Sequence, residues 1–379
     1  MTAATHALGR ELQLVHAAQW LYAINGEPFV PGEGDPYARL VRGFDSDEDG
    51  TDGAGGILAS VAERGPVWRS RLDTWVVTGP AALRELSGSR ELAVSAAVPQ
   101  AEAWLPDPAR QRTTALVRDL ARRGGTRAVR EHAGTLREQA TRAAALLGPG
   151  PVDLMADFAG PLTAAVYAVL LDVPQERHAA FAAAVAATAP AVDALLCPQT
   201  LEVTRRLAAG VRELRELFAG RDRAEADLLL AVAGARAAAD LLGNALHTLL
   251  GRPREWAQLR SDPGHAARVV EEVLRDRPLW RAHPLVALAP AEAAGARIET
   301  GDTVTVVTTG TGGGPAPLPV RACAALLPAA RAQAEHALPA LAARFELLRP
   351  DGAPVRLRRA PLTRRLVRLP ARLGEEETR

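Results

Sequence analysis

Few side chains in this chain are spaced for chemistry. Cys197 and Cys323 are its two cysteines, too few for a disulfide framework and without the paired spacing of a zinc site. The eight histidines, at 6, 16, 132, 178, 247, 265, 283 and 336, contain no His-Glu-x-x-His. Asp45, Asp47, Asp49 and Gly50 open like a calcium-binding loop, but the twelfth position is Gly56, where a bidentate glutamate is needed. That stretch reads as a solvated surface loop. Gly310-Thr311-Gly312-Gly313-Gly314 follows a predicted strand, yet Pro315 comes next instead of the Gly-Lys-Ser/Thr of a phosphate cradle. No Gly-x-Ser-x-Gly elbow is present. Two charged sets remain, Arg236 with Asp240 and Glu272 with Arg275. By spacing alone the second is an ordinary i, i+3 surface pair, worth about 0.2–0.5 kcal/mol.

The elements that carry these residues are mostly helical. Residues 8–23 predict an amphipathic helix ending near Asn25-Gly26, whose left-handed tolerance is a stop signal. Val67–Arg71 and Thr74–Thr78 predict a hairpin around Leu72-Asp73. From 108 to 260 the pattern is helix, broken by Pro151, the 172–174 turn, Pro190, Pro198 and Pro253. Between His265 and Arg275, Ala266, Val269, Val270, Val273 and Leu274 make one apolar stripe, with Glu272 and Arg275 off it. Segments 284–289, 296–299 and 303–309 are strand-like, 328–343 is helical, and Arg-Val-Leu alternation over 354–369 predicts terminal strands. The fold class is mainly α with minor β-sheets. We expect one domain over 1–379, with a helix-rich body at about 80–280 and small sheets near 66–78, 284–309 and 345–369.

Composition narrows the function classes. A net charge of +1, from 45 basic and 44 acidic residues, supplies no field to attract nucleic acid or anionic membrane. All the basic residues are arginines, which reflects a GC-rich genome more than a function and still suits bidentate partner contacts. Residues 1–9 lack a basic region followed by an apolar core, and no uncharged apolar run reaches about 20 residues. A cytoplasmic protein with neither leader nor span is expected.

Order and context give Glu272 and Arg275 a second reading. Val270-Glu271-Glu272-Val273-Leu274-Arg275, followed by Pro278, resembles the helix of cytochromes P-450 whose Glu-x-x-Arg pair is buried and organises the fold behind the heme. Residues 233–245 are similar to the family's long central helix. Pro328-Ala329-Ala330-Arg331 and Arg344-Phe345 keep the spacing of the helix and strand after its cysteine loop, and 152–174 also resembles the family. The matches occur in the family's order over most of the chain. The resemblance therefore implies a cytochrome P-450-like fold.

The family's chemistry does not follow. Where it places an acid and a threonine to deliver protons to oxygen, this chain has Arg236 and Ala237. Guanidinium releases no proton at neutral pH and alanine has no hydroxyl. With Arg331 aligned, the thiolate position falls on Ala324, one residue from Cys323, in a segment without the family's phenylalanine, histidine and glycines. Cys323 reads as a small buried hydrophobe, and no heme or other cofactor is expected.

Leu8–Gln13, Trp20-Leu21-Tyr22, Asn25–Pro28 and Asp73–Val77, which includes Trp75, are similar to one branch of the superfamily. That branch is the heme-free auxiliary proteins of antibiotic deoxysugar glycosyltransferases, of the erythromycin desosaminyltransferase helper type. Pro198-Gln199, Leu217–Gly220 and Pro354–Arg356 extend the likeness. It implies a non-catalytic partner of a nucleotide-sugar-dependent glycosyltransferase, held in a hetero-oligomer, with Trp20, Tyr22, Asn25 and Trp75 as candidate partner positions. Each aromatic taken singly reads as core packing. Two alternatives stay open: a heme-thiolate monooxygenase using Cys323, and a heme-independent enzyme reusing the emptied pocket.

Overall fold

The computed structural model describes residues 3–24, 34–43, 56–87, 91–96, 103–111, 113–277, 279–308 and 318–374. Asn25-Gly26, the Asp45–Asp49 loop, Pro278 and the glycine run at 310–314 lie outside them. The first predicted helix is present and longer, Ala3–Ile24. A second, Pro36–Arg42, starts on Asp35, with proline at a first-turn position where no backbone N–H is needed.

Asp35 ties this end of the chain to the predicted hairpin. One of its oxygens accepts the N–H groups of Tyr37 at 2.8 Å and Ala38 at 3.1 Å; the other accepts the Ser70 hydroxyl at 2.7 Å and the Arg71 N–H at 2.6 Å. Gly43 ends the helix at φ 76°, and a Cβ there would sit 2.6 Å from the Arg358 carbonyl oxygen. The hairpin strands are Val67–Arg69 and Thr74–Val77, antiparallel about a turn in which Asp73 has φ 58°. They enter a five-stranded sheet in the order Val67–Arg69, Thr74–Val77, Thr303–Val307, Ala282–Ala287, Leu92–Val94. The Tyr37 hydroxyl meets Thr305 Oγ1 at 2.7 Å, so helix and sheet are fastened beneath the surface.

Helices make up the body. Ala224–Leu229, a π-helical stretch at Leu230–Gly234 and Ala235–Leu250 run on as one central helix. It is buried nearly throughout, against Gly160–Leu170, His265–Asp276 and Leu327–Arg344. The wide π turn falls where the sequence places Ala233-Gly234, and a Cβ on Gly234 would approach the Tyr167 ring at 3.1 Å. Trp256, fully buried, donates its indole N–H to the Phe345 carbonyl at 3.0 Å. Pro253 opens a helix at its first turn, and the 172–174 turn carries Asp172 at φ 47°, as the breaker residues require.

The small sheets were only partly anticipated. Ala296–Ile298 and Thr303–Val307 fall within the expected segments, Ala282–Ala287 overlaps the expected 284–289 but starts two residues earlier, and Val355–Arg356 pairs with Leu366–Arg368. Gly150–Asp153, inside the stretch read as helix, is instead an outer strand beside Pro370–Gly374, whose other neighbour is Leu347–Pro350. Its partner is more than two hundred residues away, so no local period reveals it. Leu92–Val94 is a sheet edge for the same reason.

Replacing Asp35 by alanine strands four donors and is expected to lower stability by about 2–3 kcal/mol. Urea unfolding of the two proteins measures it; a loss under about 0.5 kcal/mol, the size of an ordinary surface change, would contradict the role given to this carboxylate.

Candidate functional site

The central helix positions Arg236, Ala237 and Asp240 where the resemblance puts oxygen chemistry. Arg236 does not point to an open site. Its guanidinium grips Asp240 one turn on, Nε to Oδ2 at 2.9 Å and Nη2 to Oδ1 at 2.6 Å, with side-chain exposures of 11% and 2%. A bidentate fork between residues four apart needs no other element, so the pair is complete within the helix. Burial pushes the Asp240 carboxyl upward, and Arg236 and the nearby Arg365 and Arg356 oppose that. Ala237, buried beside it, offers only a methyl group.

A second carboxylate lies close to the first. Asp193, fully buried in the short helix Ala191–Ala194, accepts the N–H groups of Leu362 at 2.9 Å and Thr363 at 3.0 Å and the Thr363 hydroxyl at 2.6 Å. Burial raises its carboxyl to about 6, against the pull of Thr363 and Arg365. Burial and Arg236 together bring the Arg365 guanidinium down to about 10. Arg356 completes the set, 3.5 Å from Asn244 Oδ1. Both carboxylates are engaged, the Thr363 hydroxyl is committed to Asp193, and burial pushes the nearby Cys197 thiol up to about 12, so the cluster reads as structural. The segment after Asp193 fastens other elements too. Gln19 donates to the Leu196 carbonyl at 2.6 Å, and Gln199 donates to the Arg359 carbonyl at 3.0 Å.

Beside the central helix lies a cavity of about 60 Å³, with Ala233 on one wall, Cys323 and Leu326 on another, and Trp104, Trp280 and His283 around them. Cys323 belongs to a short helix, Leu318–Ala324, and Ala324 faces outward, exposed. Burial pushes the Cys323 thiol up to about 12, and no cation among the causes counters it. Heme ligation needs a thiolate presented by a loop that leaves room for the porphyrin. Cys323 is carried instead on the helix Leu318–Ala324 and no cation favours its thiolate, so the described residues do not form the loop a heme needs. A wider cleft of about 410 Å³ shares the Trp104–Pro106 wall, between Arg215 and Phe218 on one side and Glu225 and Leu228 on the other.

Glu272 and Arg275 do not form the pair that the resemblance implies. The helix His265–Asp276 buries Ala266, Val269, Val270 and Val273, which leaves Glu272 on the flank and Arg275 exposed. Glu272 takes Arg252 at 2.7 Å, and its neighbour Glu271 takes Arg331 at 2.5 Å. These two ion pairs tie the helix to its neighbours in place of the internal one. Trp75 is fastened within the protein: its indole N–H donates to Asp302 Oδ2 at 2.9 Å and Arg69 lies 5.3 Å over its ring. Trp20 sits exposed on the N-terminal helix, bonded to His16 at 3.0 Å with Arg42 4.9 Å over its ring, and Tyr22 is half-buried nearby. Asn25 is outside the described residues.

Sequence reasoning missed Asp193, Arg365 and the indoles of Trp104 and Trp280. For Asp193 a signal existed, a single acid in the apolar run Ala191–Cys197. Buried there, it had to find donors.

Together these features describe a P-450 scaffold whose oxygen-activating face is closed by an internal ion pair. The fold matches solved cytochromes P450 along nearly their whole length: CYP164A2 of Mycobacterium smegmatis at TM-score 0.67 and 19% identity, covering 89% of this chain and 99% of that one, and P450 EryK in complex with erythromycin B at TM-score 0.64 and 22% identity, covering 85% and 96%. Sequence likeness is closer elsewhere. The chain is 33% identical over 390 residues to protein DesVIII of Streptomyces venezuelae, covering 95% of this chain and 92% of that protein. It is 34% identical over 424 residues to TylM3 of Streptomyces fradiae, covering 97% and 94%. With EryCII of Saccharopolyspora erythraea, named a cytochrome P450 family protein, it shares 30% over 320 residues, 79% of this chain and 74% of EryCII. The chain belongs to the cytochrome P450 family, in the branch of DesVIII, TylM3 and EryCII. No protein-family profile matches it.

The buried Asp193 gives a pH dependence with a definite sign. Its carboxyl is raised in the folded protein from 3.8 to about 6, so the native state holds this proton more tightly than the unfolded chain. The contribution is fully present below the unfolded value and is lost as pH rises through about 6. Asp193→Asn removes it. The stability difference between wild type and variant is expected to shift by about 1–3 kcal/mol against wild type between pH 4 and pH 7. Parallel urea curves at the two pH values check this, and an unchanged difference refutes it. Titration with hemin is also expected to give no Soret band that Cys323→Ala abolishes; such a band would reverse the reading of the pocket.

Proposed function

We propose that this protein is a non-catalytic auxiliary protein of the cytoplasm, which binds, stabilises and activates a nucleotide-deoxysugar-dependent glycosyltransferase of polyketide antibiotic biosynthesis. The observation that carries the proposal is the central helix, where Arg236 and Ala237 stand in place of the family's acid and threonine and Arg236 is locked to Asp240. A scaffold preserved without that chemistry has its shape to offer a partner. Likeness to DesVIII and TylM3 over more than nine-tenths of their lengths places that shape in the branch whose sequence features point to glycosyltransferase helpers.

The physical action is linkage. A partner that binds only the folded, competent transferase raises its population, by about 2.7 kcal/mol at a hundredfold excess over Kd. The complex is a hetero-oligomer formed by one domain of this chain, with Trp20 and Tyr22 of the N-terminal helix as candidate contacts. Trp75, engaged internally, serves the sheet.

A second reading keeps one supporting observation, that Cys323 does line the cavity. It makes the protein a thiolate monooxygenase and requires the heme spectrum described above.

Coexpression with each deoxysugar glycosyltransferase encoded in the source genome decides between these readings. The expected outcome is copurification, a higher yield of soluble transferase and at least a tenfold gain in its sugar-transfer rate, with no turnover by this protein alone. Failure to copurify together with an unchanged rate refutes the proposal, as does substrate conversion without the transferase.

A further inference from the structure

The N-terminal helix lacks the polar outer face of an ordinary surface helix. Over residues 7–23 its buried residues are Leu12, Gln19 and Ala23, and Gln19 is tied to the Leu196 carbonyl at 2.6 Å. On the opposite side Ala7, Arg10, Leu14, Ala17 and Leu21 are all exposed, spaced three and four apart, with Gln13 and Trp20 beside them. That spacing is a heptad seam, and in it one residue of five is charged. Leu14 is 71% exposed, Leu21 48% and Trp20 38%, three of the five large hydrophobic residues that are exposed among the described residues. The neighbouring helix Leu201–Phe218 shows the ordinary pattern, turning Glu202, Arg205, Arg206, Arg212, Arg215 and Glu216 to solvent. A helix apolar on both sides is normally covered on both sides.

The charge around the seam says what covers it. Arg10 lies exposed within it, and Arg359 acts on His16 beside it. Glu11, half-buried, is the one acid on this part of the helix. A second copy of the chain would bring the same cations against one another, which opposes self-pairing. A helix with an apolar stripe between rows of Asp and Glu meets both the leucines and the arginines. Ala7 and Ala17, either side of Leu14, leave the holes into which its side chains pack.

We infer that the outer face of Ala3–Ile24 is the docking surface for an acidic, amphipathic helix of the glycosyltransferase partner. This rests on the proposed function and names the part of the protein that carries it out. The seam supplies the buried anchor, with Leu14 at its middle. The arginines supply orientation and a faster encounter, at the rim where salt weakens them.

The test uses the full chain and the purified transferase. Leu14→Glu combined with Leu21→Glu is expected to weaken the complex at least tenfold, and Arg10→Glu to weaken it and reduce its salt dependence. Leu146→Glu, at a residue 86% exposed beyond the far helix Ala133–Ala145, is expected to bind as wild type. Circular dichroism and thermal melting show that each variant is folded. A photo-crosslinking residue at position 14 is expected to join a transferase helix flanked by Asp or Glu. Wild-type binding that the double variant retains within twofold overturns this inference and leaves the proposed function standing. A crosslink to a second copy or to the chain itself also overturns it. If wild type does not bind the transferase at all, the proposed function falls and this inference with it.

Discussion

A carboxylate taken out of water must have its oxygens engaged, and Asp240 and Asp193 meet that demand in two different ways in the middle of this protein. Asp240 is satisfied by Arg236 on its own helix, while Asp193 reaches across to the Leu362–Thr363 turn. The second solution has the larger reach. It fixes the turn that sets Leu362 against the cavity, opposite Val192 and Leu195, and it draws the arginines of the terminal segment towards the centre. The apolar wall at Leu362 thus depends on a polar contact, that of its own N–H with Asp193. Removing one partner would leave a buried charge, a loss greater than the pair's own contribution.

Much of the fold was legible because its helices are long and periodic. The stripe of Ala266, Val269, Val270 and Val273 is buried as its spacing requires, and the breaks at Pro253 and Asp172 fall where proline and turn residues put them. The strand Gly150–Asp153 was not legible, since it owes its conformation to Pro370–Gly374 at the other end of the chain. Strands of three or four residues carry little pattern of their own, and the partner that decides them is remote.

At the site, residue types were informative and pairings were not. Arginine and alanine at 236 and 237 sufficed to exclude proton delivery, and the geometry adds that the guanidinium is already spent on Asp240. Glu272 and Arg275 show the opposite case. Their motif is intact in the sequence, yet Glu272 pairs with Arg252 and Arg275 is left in solvent. A motif records which residues are available, and side-chain choice depends on which neighbour lies nearest once the helices pack. Cys323, one position from the aligned ligand site, faces the cavity while Ala324 faces out, a difference of one helical step that the sequence alone leaves open.

The residues after Asp193 connect regions that have so far been described apart. Leu196 holds Gln19 of the N-terminal helix, the Cys197 thiol lies 3.6 Å from the Arg42 carbonyl, and Gln199 reaches Arg359, all within seven residues of the carboxylate that fastens Thr363. Hydrogen bonds that share one short segment are lost when that segment opens locally. The N-terminal helix and the interior are therefore tied through residues 193–199, and opening there loosens both. A partner that covers the helix is expected to slow that opening.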